Sequence, residues 1–369
     1  MKYMNKTAKA AVFMGANKAF EIRDFLITPP PVGMAKAELI ASGICGTDVH
    51  IHRGKLGSTP NRIIGHEFVG RIIELPEGAE NGDLKVGDAV IADIAVPCGV
   101  CPLCKNGDDA NCVSMKVTNS ATVDQPPYLH GGFTEINYTP LKNLIKIPDE
   151  LDPVMVCTFA CPGPTAIHAF SLAKQAGVTF KKDDVAVVQG LGPVGCFAVM
   201  YLRAIGVGTI YAITAGNNQQ REELAVKLGA TEVLNLTRQS EEEINDYIKS
   251  KTDGLGANIA FEASGAPAAV PQAFQFLRNR ATYLVPGQYS RSGEIAIQPQ
   301  LITFKALHII GSSQYSICDV EAYLQFLCEH PELHDTIRAL GKKYKVEDVN
   351  AAFDDAKTGN NIKTMLVKE

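Results

Sequence analysis

At 369 residues the chain exceeds what one hydrophobic core usually supports, so two domains, or one domain interrupted by another, are expected. Its 46% apolar and 20% charged residues are ordinary globular composition, and a net charge of −5 supplies no positive field for nucleic acid or an anionic membrane. The N-terminal apolar run is too short for a signal peptide, and the longest apolar stretch, 185–202, is broken by Gln189 and three glycines, so a cytoplasmic protein without a membrane span is expected.

Residues 8–150 carry short apolar runs punctuated by Gly and Pro, among them "AELIASGI", "FVGRIIEL", "DAVIADIAV" and "NLIKIP", which predict a β-rich module. Within it, "GICGTDVHIHRG" and "GHEFVG" hold Cys45, Thr47, Asp48, His50, His52, His66 and Glu67. Next, "VPCGVCPLCKNGDDANC" gathers Cys98, Cys101, Cys104 and Cys112, four of only ten cysteines. In a reducing compartment such a cluster suggests metal more than disulfides. Four thiolates also close a tetrahedral zinc shell and leave no position for a substrate, which marks a structural site. A zinc-finger reader of nucleic acid is the competing interpretation; the acidic balance and the lack of a basic, aromatic-bearing segment disfavour it.

"FACPGPTAIHAF" adds Cys161, with Cys157 four residues earlier as its rival. Pro162 suits the first turn of a helix, and a thiol at a helix N-terminus ionises more readily, as a metal ligand must. From Asp183 the rhythm changes to strand, glycine turn and helix, repeated through "VAVVQG", "TIYAIT", "EVLN", "NIAFEASG" and "ATYLVPG", which predicts βαβ units and a parallel sheet. Gly190, Gly192 and Gly195 stand in G-x-G-x-x-G spacing between strand and helix, where the helix N-terminus favours a pyrophosphate. The second strand ends at Thr214 with no acid after it as far as Arg221. Amides and hydroxyls there could bond a ribose diol, and Arg221 is expected to be a solvated helix residue rather than a 2′-phosphate ligand; NAD is therefore favoured over NADP. The alternation is expected to stop near Thr303, leaving a helical tail without further strands.

In "GICGTDVH", "GHEFVG", "VGDAV", the C-x2-C-x2-C-x7-C run, "GLGPVG" and "CPGPTAIHA", the chain resembles the zinc-dependent medium-chain alcohol dehydrogenase family over almost its whole length. The resemblance implies an α/β fold in which a GroES-like β-rich catalytic domain, 1–165 plus 305–369, carries a structural zinc lobe at about 96–113. A doubly wound parallel-sheet (Rossmann) coenzyme domain, 166–304, interrupts it. Two Zn2+ per chain are implied: one on Cys98, Cys101, Cys104 and Cys112, and a catalytic one on Cys45, His66 and Cys161, with Glu67 able to bind it transiently. Thr165, four positions after Cys161, fits the family pattern.

By the same resemblance Asp48 orients His66, Thr47 accepts the alcohol proton and His50 passes it to solvent, while His52 is an exposed loop histidine. Thr165 and Val194 rest against the nicotinamide, and Gly190, Gly192 and Gly195 hold the pyrophosphate. Thr214, Ser264 and Gly287, at strand ends, are further cofactor contacts, as is "GSS" at 311–313. Ile94, Tyr128 and Leu129 are expected near a small-molecule alcohol or carbonyl substrate. "EIAIQPQLITFKALHII" is expected to supply an edge for a homodimer or homotetramer, and "PEGAENGDLK" to lengthen a surface turn. The implied reaction is hydride transfer between a primary or secondary alcohol or polyol and NAD(P). A zinc-independent quinone or enone reductase and a non-enzymatic dinucleotide-binding protein are the alternatives.

Overall fold

The computed structural model describes residues 6–79 and 82–368, so the middle of the "PEGAENGDLK" insertion lies outside the described residues. The chain divides into two compact units, one running up to Cys161 and resuming at Tyr315, the other Pro162–Gln314.

In the first unit β1 (Thr7–Val12) pairs antiparallel with β2 (Glu21–Leu26). The larger sheet draws on β3 (Met34–Ile44), β4 (Phe68–Glu74) and β5 (Ala89–Ala92), and a small ribbon forms from β6 (Ala95–Val96) and β7 (Lys116–Val117). β8 (Ile136–Pro140) and β9 (Leu144–Lys146) complete the elements before the interruption. Helix α1 (Gly46–His52) follows β3 directly, α2 (Pro102–Lys105) lies in the cysteine lobe, and α3 (Pro153–Cys157) ends four residues before Cys161.

The second unit begins with α4 (Pro162–Gln175) and winds around β10 (Val185–Gln189), β11 (Thr209–Thr214), β12 (Glu232–Asn235), β13 (Ala257–Glu262), β14 (Leu277–Val285) and β15 (His308–Gly311). All pairings are parallel in the order β12-β11-β10-β13-β14-β15, a doubly wound sheet. Its middle strands read as unbroken apolar runs because helices cover both faces; Ala186, Val187 and Val188 are wholly buried. Helices α5 (Pro193–Ala204) and α6 (Gln219–Lys227) follow β10 and β11.

Four expectations are corrected. The strand and helix alternation does not end near Thr303, since helix Pro299–Phe304 leads into β15. Only that last part of "EIAIQPQLITFKALHII" forms the sheet edge. The tail is not purely helical: β16 (Gly341–Lys345) and β17 (Lys363–Val367) join the first unit's seven-stranded sheet, in the order β16-β17-β3-β4-β5-β9 with β8 also on β3. Finally, His52 is not an exposed loop residue. It is 7% exposed, its Nε2 meets the Lys18 carbonyl at 2.9 Å, and its ring stacks on Phe20 in an aromatic core with Phe133 and Phe353.

Candidate functional site

Cys45, the adjacent pair His66 and Glu67, and Cys161 come from three places in the chain, yet one ligand atom from each lies within 4.8 Å of all the others. Cys45 is the N-cap of α1, His66 and Glu67 precede β4, and Cys161 precedes α4. Asp48 serves two purposes: Oδ2 accepts the Cys45 N–H at 2.9 Å, and Oδ1 lies 3.2 Å from His66 Nδ1. This bond sets the ring orientation and directs the other nitrogen, Nε2, at the sulfurs, the second-sphere arrangement typical of metal-binding histidines.

The Cys45 and Cys161 sulfurs are 4.0 Å apart. A tetrahedral zinc with bonds of about 2.3 Å holds two sulfurs about 3.8 Å apart, so the donor set fits that ion. Their mutual contact pulls the Cys45 thiol well below its ordinary pKa and drives Cys161 well above it. Burial opposes a charge on His66, but Asp48 and Cys45 outweigh it and raise its pKa well above the usual value. A divalent cation here would replace that proton and let both thiols ionise.

Thr47 and His50 are half-buried on α1, three residues apart and hence on one face of it. Burial, then Lys55 and Arg53, lowers the pKa of His50, which keeps its ring neutral near pH 7. Cys157 is fully buried and its thiol points to the Glu67 carbonyl oxygen at 3.5 Å, outside the four-residue donor group.

Cys98, Cys101, Cys104 and Cys112 form a second group by the same 4.8 Å criterion. The Cys98 sulfur accepts the Cys101 N–H at 3.3 Å, and the Cys112 sulfur accepts the Cys98 N–H at 3.2 Å. The N–H groups of Cys104 and Val113 pull Cys101 down to about 6, whereas burial and the neighbouring thiols push Cys104 up to about 12. Backbone donors aimed at clustered sulfurs suit thiolates around a cation.

In the second unit the three glycines of the turn have separable reasons. Gly190 sits at φ +97°, and a Cβ there would meet the Ser264 backbone at 2.7 Å. Gly192, the N-cap of α5, faces open space, so a ligand's phosphates could approach its backbone. A Cβ on Gly195 would run into the Gly190 carbonyl, so only glycine lets α5 pack against the turn. Val194 opens α5 beside Pro193. Thr214, Ser264 and Gly287 stand at or just past the carboxyl ends of β11, β13 and β14, the edge where such sheets bind ligands. Ser264 is committed: its N–H and hydroxyl both donate to Glu262 Oε1. Thr165 lies on α4, half-buried.

Residues 33–149 match the model of the alcohol dehydrogenase GroES-like domain, and residues 193–329 that of the zinc-binding dehydrogenases. An L-threonine 3-dehydrogenase from Caldanaerobacter subterraneus is 32% identical over 275 residues, 73% of each chain. The chain belongs to the zinc-dependent medium-chain alcohol dehydrogenase family. A 5-exo-hydroxycamphor dehydrogenase from Pseudomonas putida is 28% identical over 378 residues, 97% of this chain and 98% of that one. The crystal structure of an alcohol dehydrogenase from Thermotoga maritima superposes with a TM-score of 0.90 at 26% identity, covering 99% and 100%. This dehydrogenase is therefore an oxidoreductase acting on a small molecule, and no helix among its described residues is long and apolar enough to cross a membrane.

Three residues of the dehydrogenase's first unit escaped the sequence reading. Lys363 on β17 donates to Glu67 Oε2 at 2.5 Å, and neither side chain is exposed at all. A lysine inside the apolar run "IKTMLV" was the available signal. Asp93, the acid that interrupts "DAVIADIAV", is 2% exposed, and burial pushes its carboxyl up to about 6. Tyr315 carried no signal. Burial, with the charges of Cys161, Asp93 and Glu67 around it, raises its phenol well above the ordinary range.

Proposed function

We propose that this dehydrogenase transfers hydride between a small alcohol, primary, secondary or polyol, and a nicotinamide adenine dinucleotide, giving an aldehyde or ketone. The reading rests on one observation: two thiols, an imidazole and a carboxylate converge within 4.8 Å, with the imidazole anchored by Asp48. Cys45, His66 and Cys161 would hold a catalytic zinc, and Cys98, Cys101, Cys104 and Cys112 a structural one. When bound, zinc lowers the pKa of a coordinated alcohol and the dinucleotide takes up the hydride.

The chain's own residues do the rest. Asp48 holds His66 in the tautomer that presents Nε2. Thr47 accepts the hydroxyl proton, and the neutral ring of His50, one turn along α1, passes it to solvent. Gly190, Gly192 and Gly195 let the backbone approach the pyrophosphate, with Val194 and Thr165 beside the nicotinamide. Of the two dinucleotides the sequence favours NAD. Threonine and 5-exo-hydroxycamphor, named in its relatives, share a secondary hydroxyl group, which makes that group the first to test. A cytoplasmic homodimer or homotetramer joined along the edge strand β15 is the assembly that fits.

Metal analysis of the purified protein should find two zinc ions per chain, and reduced-nicotinamide absorbance should rise with a secondary alcohol. Cys161→Ser should lose one zinc and all turnover with its circular dichroism intact, while Cys157→Ala keeps both. One zinc in the native chain, or the opposite response of the two cysteines, would overturn the assignment.

A further inference from the structure

The sequence preference for NAD assumes that Arg221 is solvated on the outside of its helix, and the structure places it elsewhere. Arg221 is half-buried on α6, and its guanidinium NH1 donates to the carbonyl of Leu191, in the middle of the glycine turn, at 3.0 Å. A guanidinium keeps its positive charge whatever else it bonds, so a fixed cation stands at the turn.

The loop joining β11 to α6 matches that charge. A carboxylate that accepts a bond from a free ribose 2′-OH is absent from 214–221, and Glu222, the first acid after it, is already engaged. Its two oxygens bond Asn235 Nδ2 at 2.6 Å and Arg238 at 2.5 Å. Asn217 is exposed, and its Oδ1 accepts the Thr237 hydroxyl at 2.6 Å. Gly216 adds open space: the nearest atom to a Cβ built there is Thr214 Oγ1, 3.9 Å away. A fixed cation and open space, with no carboxylate in the loop, suit a phosphate monoester better than a hydroxyl.

We infer that the dinucleotide site takes the 2′-phosphorylated form, NADP, selected by Arg221 and the Gly216–Asn218 loop. The inference rests on the dinucleotide reading of the glycine turn and reverses its choice of cofactor. Gly216 is also the position at which a single carboxylate would undo the selection.

The test is isothermal titration calorimetry of the full-length protein with two cofactor fragments, 2′,5′-ADP and 5′-AMP. 2′,5′-ADP should bind about tenfold more tightly, the worth of one charge-assisted hydrogen bond. Arg221→Gln should erase most of that ratio while leaving 5′-AMP little changed. Gly216→Asp should invert the ratio, by repelling the phosphate and accepting from the free hydroxyl. Equal binding, or tighter 5′-AMP, in the native protein would overturn the inference while the dinucleotide site stands. Loss of both fragments alike in Arg221→Gln would make the arginine a prop for the turn and overturn its assignment. Failure of the folded native protein to bind either fragment would remove the dinucleotide reading, and this inference with it.

Discussion

Glu67 and Lys363 form an ion pair wholly removed from water, and the cost of desolvating both is met only while both are present. Burial raises the Glu67 carboxyl to about 7 even though Lys363 opposes the shift, which shows how closely balanced the pair is. Lys363→Met should therefore cost about 3–5 kcal/mol in urea unfolding, because it leaves the buried Glu67 carboxyl without its partner, and adding Glu67→Gln should return a large part of that. A single mutant as stable as the native chain would mean that water reaches Glu67. The pair shows where sequence reading ends at the residue scale. The lobe cysteines were legible because their spacing is local, 98 to 112. Glu67 and Lys363 are 296 positions apart, and no local pattern connects a carboxylate before β4 to a lysine on a strand that looked like helical tail.

At the scale of elements, α1 concentrates Cys45, Thr47, Asp48, His50 and His52 in little more than two turns, so its packing governs several roles together. Its far end is pinned by His52 against Phe20 and Phe353, 5.5 Å from each ring. Burial, then Lys357, lowers the pKa of His52 below 6.5. Above that value the ring is neutral in both folded and unfolded chains. As pH falls below it the unfolded chain takes up the proton first, so stability is lost as pH drops through the folded value. His52→Gln keeps a donor for the Lys18 carbonyl but does not titrate. It should lose less Tm than the native protein between about pH 7.5 and 5.5, a window spanning the ordinary histidine pKa. His130 is lowered by burial too, so the slope should shrink without vanishing; an unchanged slope would place the acid sensitivity elsewhere.

The parallel sheet was legible from its alternating runs and glycine turns, whereas the tail strands were not. β16 reads as charged because it is an edge strand facing water, and β17 is only five residues long, all of them buried. Neither has the alternation that a half-buried strand would show.

Across the whole molecule, the two kinds of ligand chemistry are segregated. Every candidate metal donor belongs to the unit ending at Cys161, and the glycine turn, Thr214 and Arg221 belong to the unit 162–314. The proposed hydride transfer uses both sets, but holding a dinucleotide needs only the second. Cys45→Ser is a suitable probe: serine is itself a good N-cap for α1, and the change removes a sulfur from the proposed catalytic zinc site. Because the chain contains no tryptophan, the fluorescence of the reduced dinucleotide reports its binding against little protein background. The variant should retain one zinc, show no turnover, and bind the reduced dinucleotide within about twofold of the native Kd, as independent sites do. A loss of tenfold or more would mean that the metal set and the dinucleotide site are energetically coupled.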